Sequence, residues 1–140
     1  MNWRLIAQLS LLGLAMGVAT VFAIPSNIEP LFWVVVFFIS AYAIATQCAT
    51  KRFLHGWLVG IANSVWVTAL HTGFFSQYLV RHPQEAEMMA SMPMPESPRL
   101  MMVLVGPVIG IVSGIVIGIL AAIAGKVMRP RAAPVPDSRS

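Results

Sequence analysis

The sequence predicts an all-α integral membrane protein: four transmembrane helices in a compact bundle, the fourth built around a glycine ladder. Three observations carry that reading. Of the 140 residues, 58% are hydrophobic and 10% are charged, and the mean hydropathy is +0.80. Soluble domains carry about 25% charged residues. The apolar residues fall into four runs, each close to or above the roughly 20 residues that carry a helix across a bilayer. The last run, Met101 to Gly125, holds no charge and places Gly106, Gly110, Gly114 and Gly118 at every fourth position. Positions four apart share a helix face. The result is a strip of bare backbone that another helix can approach closely.

The first span covers about 5–24, with Gln8, Ser10 and Thr20 as its polar members and Arg4 before it. A signal-peptide apolar core is about 7–15 residues long. This run exceeds that, so it is expected to be retained. Gly13 and Gly17 form a small pair within it. Pro25 to Pro30 makes a turn, and Pro30 suits the first turn of the next helix. The second span covers about 31–49, aromatic at its start and small-residued toward its end.

Lys51 and Arg52 precede the third run, about 53–79. That run is longer than a bilayer needs, so its end is expected to project beyond the membrane as helix. Gly56 and Gly60 form a second small pair, and Asn63, Ser64, Thr68 and His71 make this the most polar span. Residues 81–99 form the sizeable loop. A short helix is expected from Pro83, with acids in its first turn. Pro93, Pro95 and Pro98 end any helix after it. The fourth span covers about 100–126, with Pro107 expected to kink or loosen it. One membrane domain, 1–128, is therefore followed by a basic tail, 129–140, whose composition predicts disorder.

The basic residues set the topology. Arg4, Lys51, Arg52, Lys126, Arg129, Arg131 and Arg139 fall on one side, against Arg81 and Arg99 on the other: seven of the nine against two. The richer side is expected to be cytoplasmic. Both termini then lie inside, in the inner (plasma) membrane, with the loop outside. The net charge of +4 does not point to nucleic acid, because the basic residues stand singly or in pairs at the ends of apolar runs. The expected partners are the lipid bilayer and, through the fourth helix, a second copy or another membrane protein.

Few residues suggest chemistry. The runs contain no Asp, Glu, Lys or Arg between their flanking charges, whereas proton-coupled carriers use ionisable groups at depth. The single cysteine, Cys48, excludes an intrachain disulfide and a cysteine-based zinc site. His71, Tyr78 and His82 share a face with Ser64 if the third helix continues straight. On such a helix the two histidines stand about 16 Å apart, too far to hold one ion. Met88, Met89, Met92 and Met94 crowd the loop, and thioethers select Cu(I). The plainer reading of those methionines is adaptable apolar filler. The sequence therefore leads to a non-enzymatic structural or accessory membrane component without a cofactor. A small oligomeric transporter or channel, and Cu(I) binding by the outer loop, are the alternatives.

Overall fold

In the computed structural model, which describes residues 1–128, the chain is all-helical, with no strand among the described residues. Six helices follow one another: α1 Trp3–Phe22, α2 Glu29–Gln47, α3 Arg52–Gly73, α4 Phe75–Arg81, α5 Pro83–Ala90 and α6 Pro98–Val127. Helices α1, α2, α3 and α6 are each long and apolar enough to cross a membrane. The tail expected at 129–140 lies outside the described residues.

Helix ends follow local chemistry: the long helices begin a residue or two before the expected spans, and α1 and α2 also end before the expected 24 and 49, at Phe22 and Gln47. Helix α1 begins at Trp3 because the Asn2 side chain accepts the Leu5 N–H at 3.1 Å, satisfying a first-turn donor that has no partner within the helix. Pro30 occupies the first turn of α2, where its missing N–H costs nothing. Helix α5 opens at Pro83 with Glu85 in its first turn. Pro107 lies inside α6, and the helix runs through it without a break in its assignment.

The third run departs from expectation. It ends at Gly73, and a separate seven-residue helix, α4, follows. Phe74 between them adopts φ −104° and ψ 37°, outside the helical region. Phe74 also packs edge-on against Phe22 of α1, ring centroids 5.4 Å apart. The chain therefore turns over the end of α1 instead of projecting straight on.

Helix α3 is the centre of the bundle. One face carries Gly56, Gly60, Ser64 and Thr68, and these meet Gly118, Gly114, Gly110 and Gly106 of α6 in antiparallel register. Each step of four down one helix matches a step of four up the other. A Cβ added at Gly114 would lie 2.5 Å from the Trp57 carbonyl oxygen, and one at Gly118 would lie 2.7 Å from that of Phe53. Both are main-chain atoms, so the two helices touch backbone to backbone. The neighbouring face of α3 receives α1, where a Cβ at Gly13 would lie 2.7 Å from Asn63 Oδ1 and one at Gly17 would lie 2.7 Å from Leu70.

The N-terminus, the start of α3 and the end of α6 gather at one end of the bundle. There the Asn2 N–H donates to His55 Nε2 at 2.9 Å, and Gly125 lies against Arg52. With Nε2 accepting, the His55 ring donates from Nδ1 to the Lys51 carbonyl at 2.8 Å. Just inside this end all four long helices meet in a dry cluster of Leu5, Ile6, Leu9, Ala41, Ile44, Val59, Ile117 and Ala121. The opposite end is closed differently, by α4, α5 and the α1–α2 turn.

Candidate functional site

Beyond Ile117 the packing of α2, α3 and α6 opens into a cavity of about 340 Å³. Gly60, Asn63, Ser64 and Ser113 line the part toward Ile117, and the exposed Ile109 lines its edge. Trp33 and Phe37 of α2 wall one side, and Val105 and Gly106 of α6 another. Five methionines line it as well: Met88 and Met89 from α5, Met92 just after it, and Met101 and Met102 from α6. Glu29, His71, Tyr78 and Glu85 complete the lining.

This rim is a bonded network. The His82 ring is fully buried. Its Nδ1 donates to the Tyr78 carbonyl at 2.9 Å, and its Nε2 stands 3.0 Å from Glu29 Oε2. The other oxygen of Glu29 accepts the Trp33 indole N–H at 2.9 Å. Ser26 in the α1–α2 turn donates to Glu85 of α5 at 2.8 Å. Two links therefore tie the α4–α5 segment to the start of α2.

The rings of His71, Tyr78 and His82 form a stack, with centroids 3.9 Å and then 4.1 Å apart. On a straight helix, positions seven apart are separated by about 10.5 Å along the axis. The stack is possible because the helix breaks at Phe74. The straight-helix separation of His71 and His82 is thereby corrected: the two come closer, with the Tyr78 ring inserted between them. At the far end of the stack, His71 Nε2 contacts the Thr20 hydroxyl at 2.7 Å, and that hydroxyl donates to the Met16 carbonyl at 2.9 Å. Thr20 therefore accepts from the ring. Burial, reinforced by the Glu29 and Glu85 carboxylates, pushes the Tyr78 hydroxyl above its ordinary range, which keeps it a protonated donor.

The structure gathers part of what the sequence singles out. Met88, Met89, Met92 and His71 line one cavity. His82 is occupied behind Tyr78, and Met94 does not line the cavity and is exposed. No group of three or more His, Cys, Asp or Glu suited to an ion occurs among the described residues. No family model, no curated protein and no solved structure matches this chain. The cavity therefore has to be interpreted from its own residues. Sequence reasoning missed three of them. Glu29 reads as a turn residue yet begins α2, where the spacing Glu29–Trp33 is the local signal for their bond. Asn63 reads as one polar residue among several, and Glu85 as an acid in the first turn of the short helix from Pro83.

Proposed function

We propose that this chain is a non-enzymatic, multi-pass protein of the inner (plasma) membrane, with both termini cytoplasmic, that binds a small apolar molecule inside its bundle. The observation that carries this reading is the cavity of about 340 Å³ roofed by methionines. A buried apolar site of about 150 Å³ holds benzene. This cavity thus has room for an apolar body of about a dozen heavy atoms. Methionine side chains are unbranched and polarisable, and suit sites that adjust to the shape of an apolar guest.

The membrane assignment rests on the four long apolar helices and on the seven-to-two distribution of basic residues. The non-enzymatic assignment is supported by the rim, whose His82, Glu29, His71 and Glu85 are bonded to neighbours rather than arranged as nucleophile and base. A structural or accessory role fits a bundle whose close α3–α6 contact lies within one chain. The transporter alternative requires a continuous path, whereas the cavity ends on the dry cluster around Ile117.

A second reading has its own support: five thioethers line one space, and thioethers favour Cu(I). Native mass spectrometry of the protein released from detergent tests the first reading. One non-covalent adduct per chain, smaller than a phospholipid, is expected on wild type. It should be missing from a Val105→Trp variant, in which the indole fills the space. Adduct-free wild type, or an adduct that survives in the variant, would remove the apolar-ligand reading.

A further inference from the structure

Tyr78 is the cavity residue whose chemistry is unspent. Both faces of its ring are covered, by His71 at 3.9 Å and by His82 at 4.1 Å between centroids. What it can present to the cavity is therefore its ring edge and its hydroxyl. The residue lines the cavity at 6% exposure, and the hydroxyl makes no hydrogen bond among the described residues. Polar groups so far buried are normally paired. Protein atoms do not seal the hydroxyl off. Asn63 differs in this: its two amide atoms also lack partners but are enclosed, with Oδ1 against Gly13 of α1.

The charges around the hydroxyl restrict what could pair with it. Glu29 and Glu85 share the cavity with it. Glu29 is committed, one oxygen to His82 and the other to the Trp33 indole. Glu85 is not. Its Oε2 accepts from Ser26, and its Oε1 has no partner among the described residues. His82–Glu29 is the one ion pair among those residues, and none of the cavity-lining residues is Lys or Arg. Glu85 is thus a half-buried carboxylate without an opposite charge. An anionic guest would be repelled, and a carbonyl would turn its negative end toward the same carboxylate. An ammonium is attracted. It can donate to Glu85 and to the lone pairs of the Tyr78 oxygen. Trp33, its N–H already given to Glu29, adds an aromatic ring of the kind that draws cations.

Resting on the cavity reading above, we propose that the ligand is a lipophilic amine, bound as its ammonium between Tyr78 and Glu85 with its apolar body among the methionines. Glu85 reads the charge, Tyr78 reads the N–H, and the roof supplies tolerance of shape.

Two probes of matched shape test this. One is 4-bromobenzylamine, an ammonium at neutral pH. The other is 1-bromo-4-ethylbenzene, in which a methyl replaces the ammonium. Trp33 lines the cavity, so a bound bromine quenches its fluorescence. The Trp33-dependent signal is the difference between each protein and the same protein carrying Trp33→Phe. The full chain is held in phosphatidylcholine nanodiscs, whose lipids carry no net charge to gather the cation. The quantity read is the change in dissociation constant from wild type to variant, which cancels each probe's partitioning into lipid. Both probes should quench wild type saturably. Glu85→Gln, which keeps an acceptor for Ser26, should weaken the ammonium about tenfold, the scale of a hydrogen bond to a charged group. Tyr78→Phe, which keeps the ring stack, should weaken it about fivefold. Neither should change the neutral probe. An ammonium affinity that either folded variant leaves unchanged, or a loss shared equally by the neutral probe, would overturn the ammonium site and leave the cavity reading standing. Saturable binding of neither probe to wild type would overturn both.

Discussion

His82 Nε2 and Glu29 Oε2, on residues 53 positions apart, stand 3.0 Å from each other. The Tyr78 carbonyl can only accept, so His82 Nδ1 carries a hydrogen. A neutral ring would then present a lone pair at Nε2 to an ionised carboxylate. The contact holds if a further proton lies between them, either as imidazolium with carboxylate or as imidazole with carboxylic acid. The pair fastens the α4–α5 segment to the start of α2 with a charge-assisted or strong neutral bond.

Removing that link should loosen the rim. Glu29→Leu leaves the buried His82 nitrogen without its partner and also strands the Trp33 N–H. A loss of about 1–3 kcal/mol is expected, the cost of an unsatisfied buried group. Thermal unfolding in detergent measures it. Ser26→Ala cuts the second link, to Glu85, and should cost about 1 kcal/mol. If Glu29→Leu unfolds at the wild-type temperature, the pair does not hold the rim.

Orientation is tested by labelling single cysteines in intact cells after Cys48→Ala. Asn27→Cys and Ala90→Cys are exposed at the α4–α5 end and should react with an impermeant maleimide. Val135→Cys should react after the cells are opened. Labelling at 135 in intact cells, with none at 90, would reverse the orientation drawn from the basic residues.

Copper separates the two readings of the methionines. Cu(I) titration should give the same curve for wild type and for a variant with Met88, Met89, Met92 and Met94 changed to leucine. Met94 does not line the cavity, whereas Met101 and Met102 do, so a second variant with those two also changed to leucine should again give the same curve. A tight site present in wild type and lost in either variant would move the function from apolar ligands to metal.

The long helices were legible because each repeats one apolar signal over about 20 residues, which local exceptions cannot cancel. The rim was partly legible. His71, Tyr78 and His82 fall on one helical face by spacing alone, but their assembly into a stack depends on the break at Phe74. Gly73 is the sole sequence cue to that break, and a glycine inside an apolar run also reads as packing. The Glu29–His82 bond and the closing of α5 over the cavity join residues more than fifty positions apart. No periodicity encodes such pairs. Asn63 was visible as polar, but its lack of a partner is a property of the packed bundle.

The α3–α6 contact gives the sharpest stability test, because the structure distinguishes the glycines of the bundle by what they touch. A Cβ at Gly114 would lie 2.5 Å from the Trp57 carbonyl oxygen and one at Gly110 would lie 2.6 Å from the Ser64 Cβ, whereas one at Gly17 of α1 would meet the far end of the Leu70 side chain. A carbonyl and a Cβ cannot step aside without moving the helix; a leucine can change rotamer. Gly114→Ala and Gly110→Ala should therefore destabilise more than Gly17→Ala, by an overpacking cost of about 1–3 kcal/mol. Gly114→Leu should be worse still. Val112→Leu and Val116→Leu lie on exposed positions of the same helix and should be tolerated, which controls for hydrophobicity. Gly73 is the second control, since nothing lies within 4 Å of its added Cβ. Gly73→Ala should be neutral or stabilising by up to about 1 kcal/mol, through helix propensity. Because Gly114 faces α3 of its own chain, the loss should appear as a lower unfolding temperature with no change in oligomeric state. Dissociation of an oligomer, with each subunit still folded, would place the glycine face between subunits.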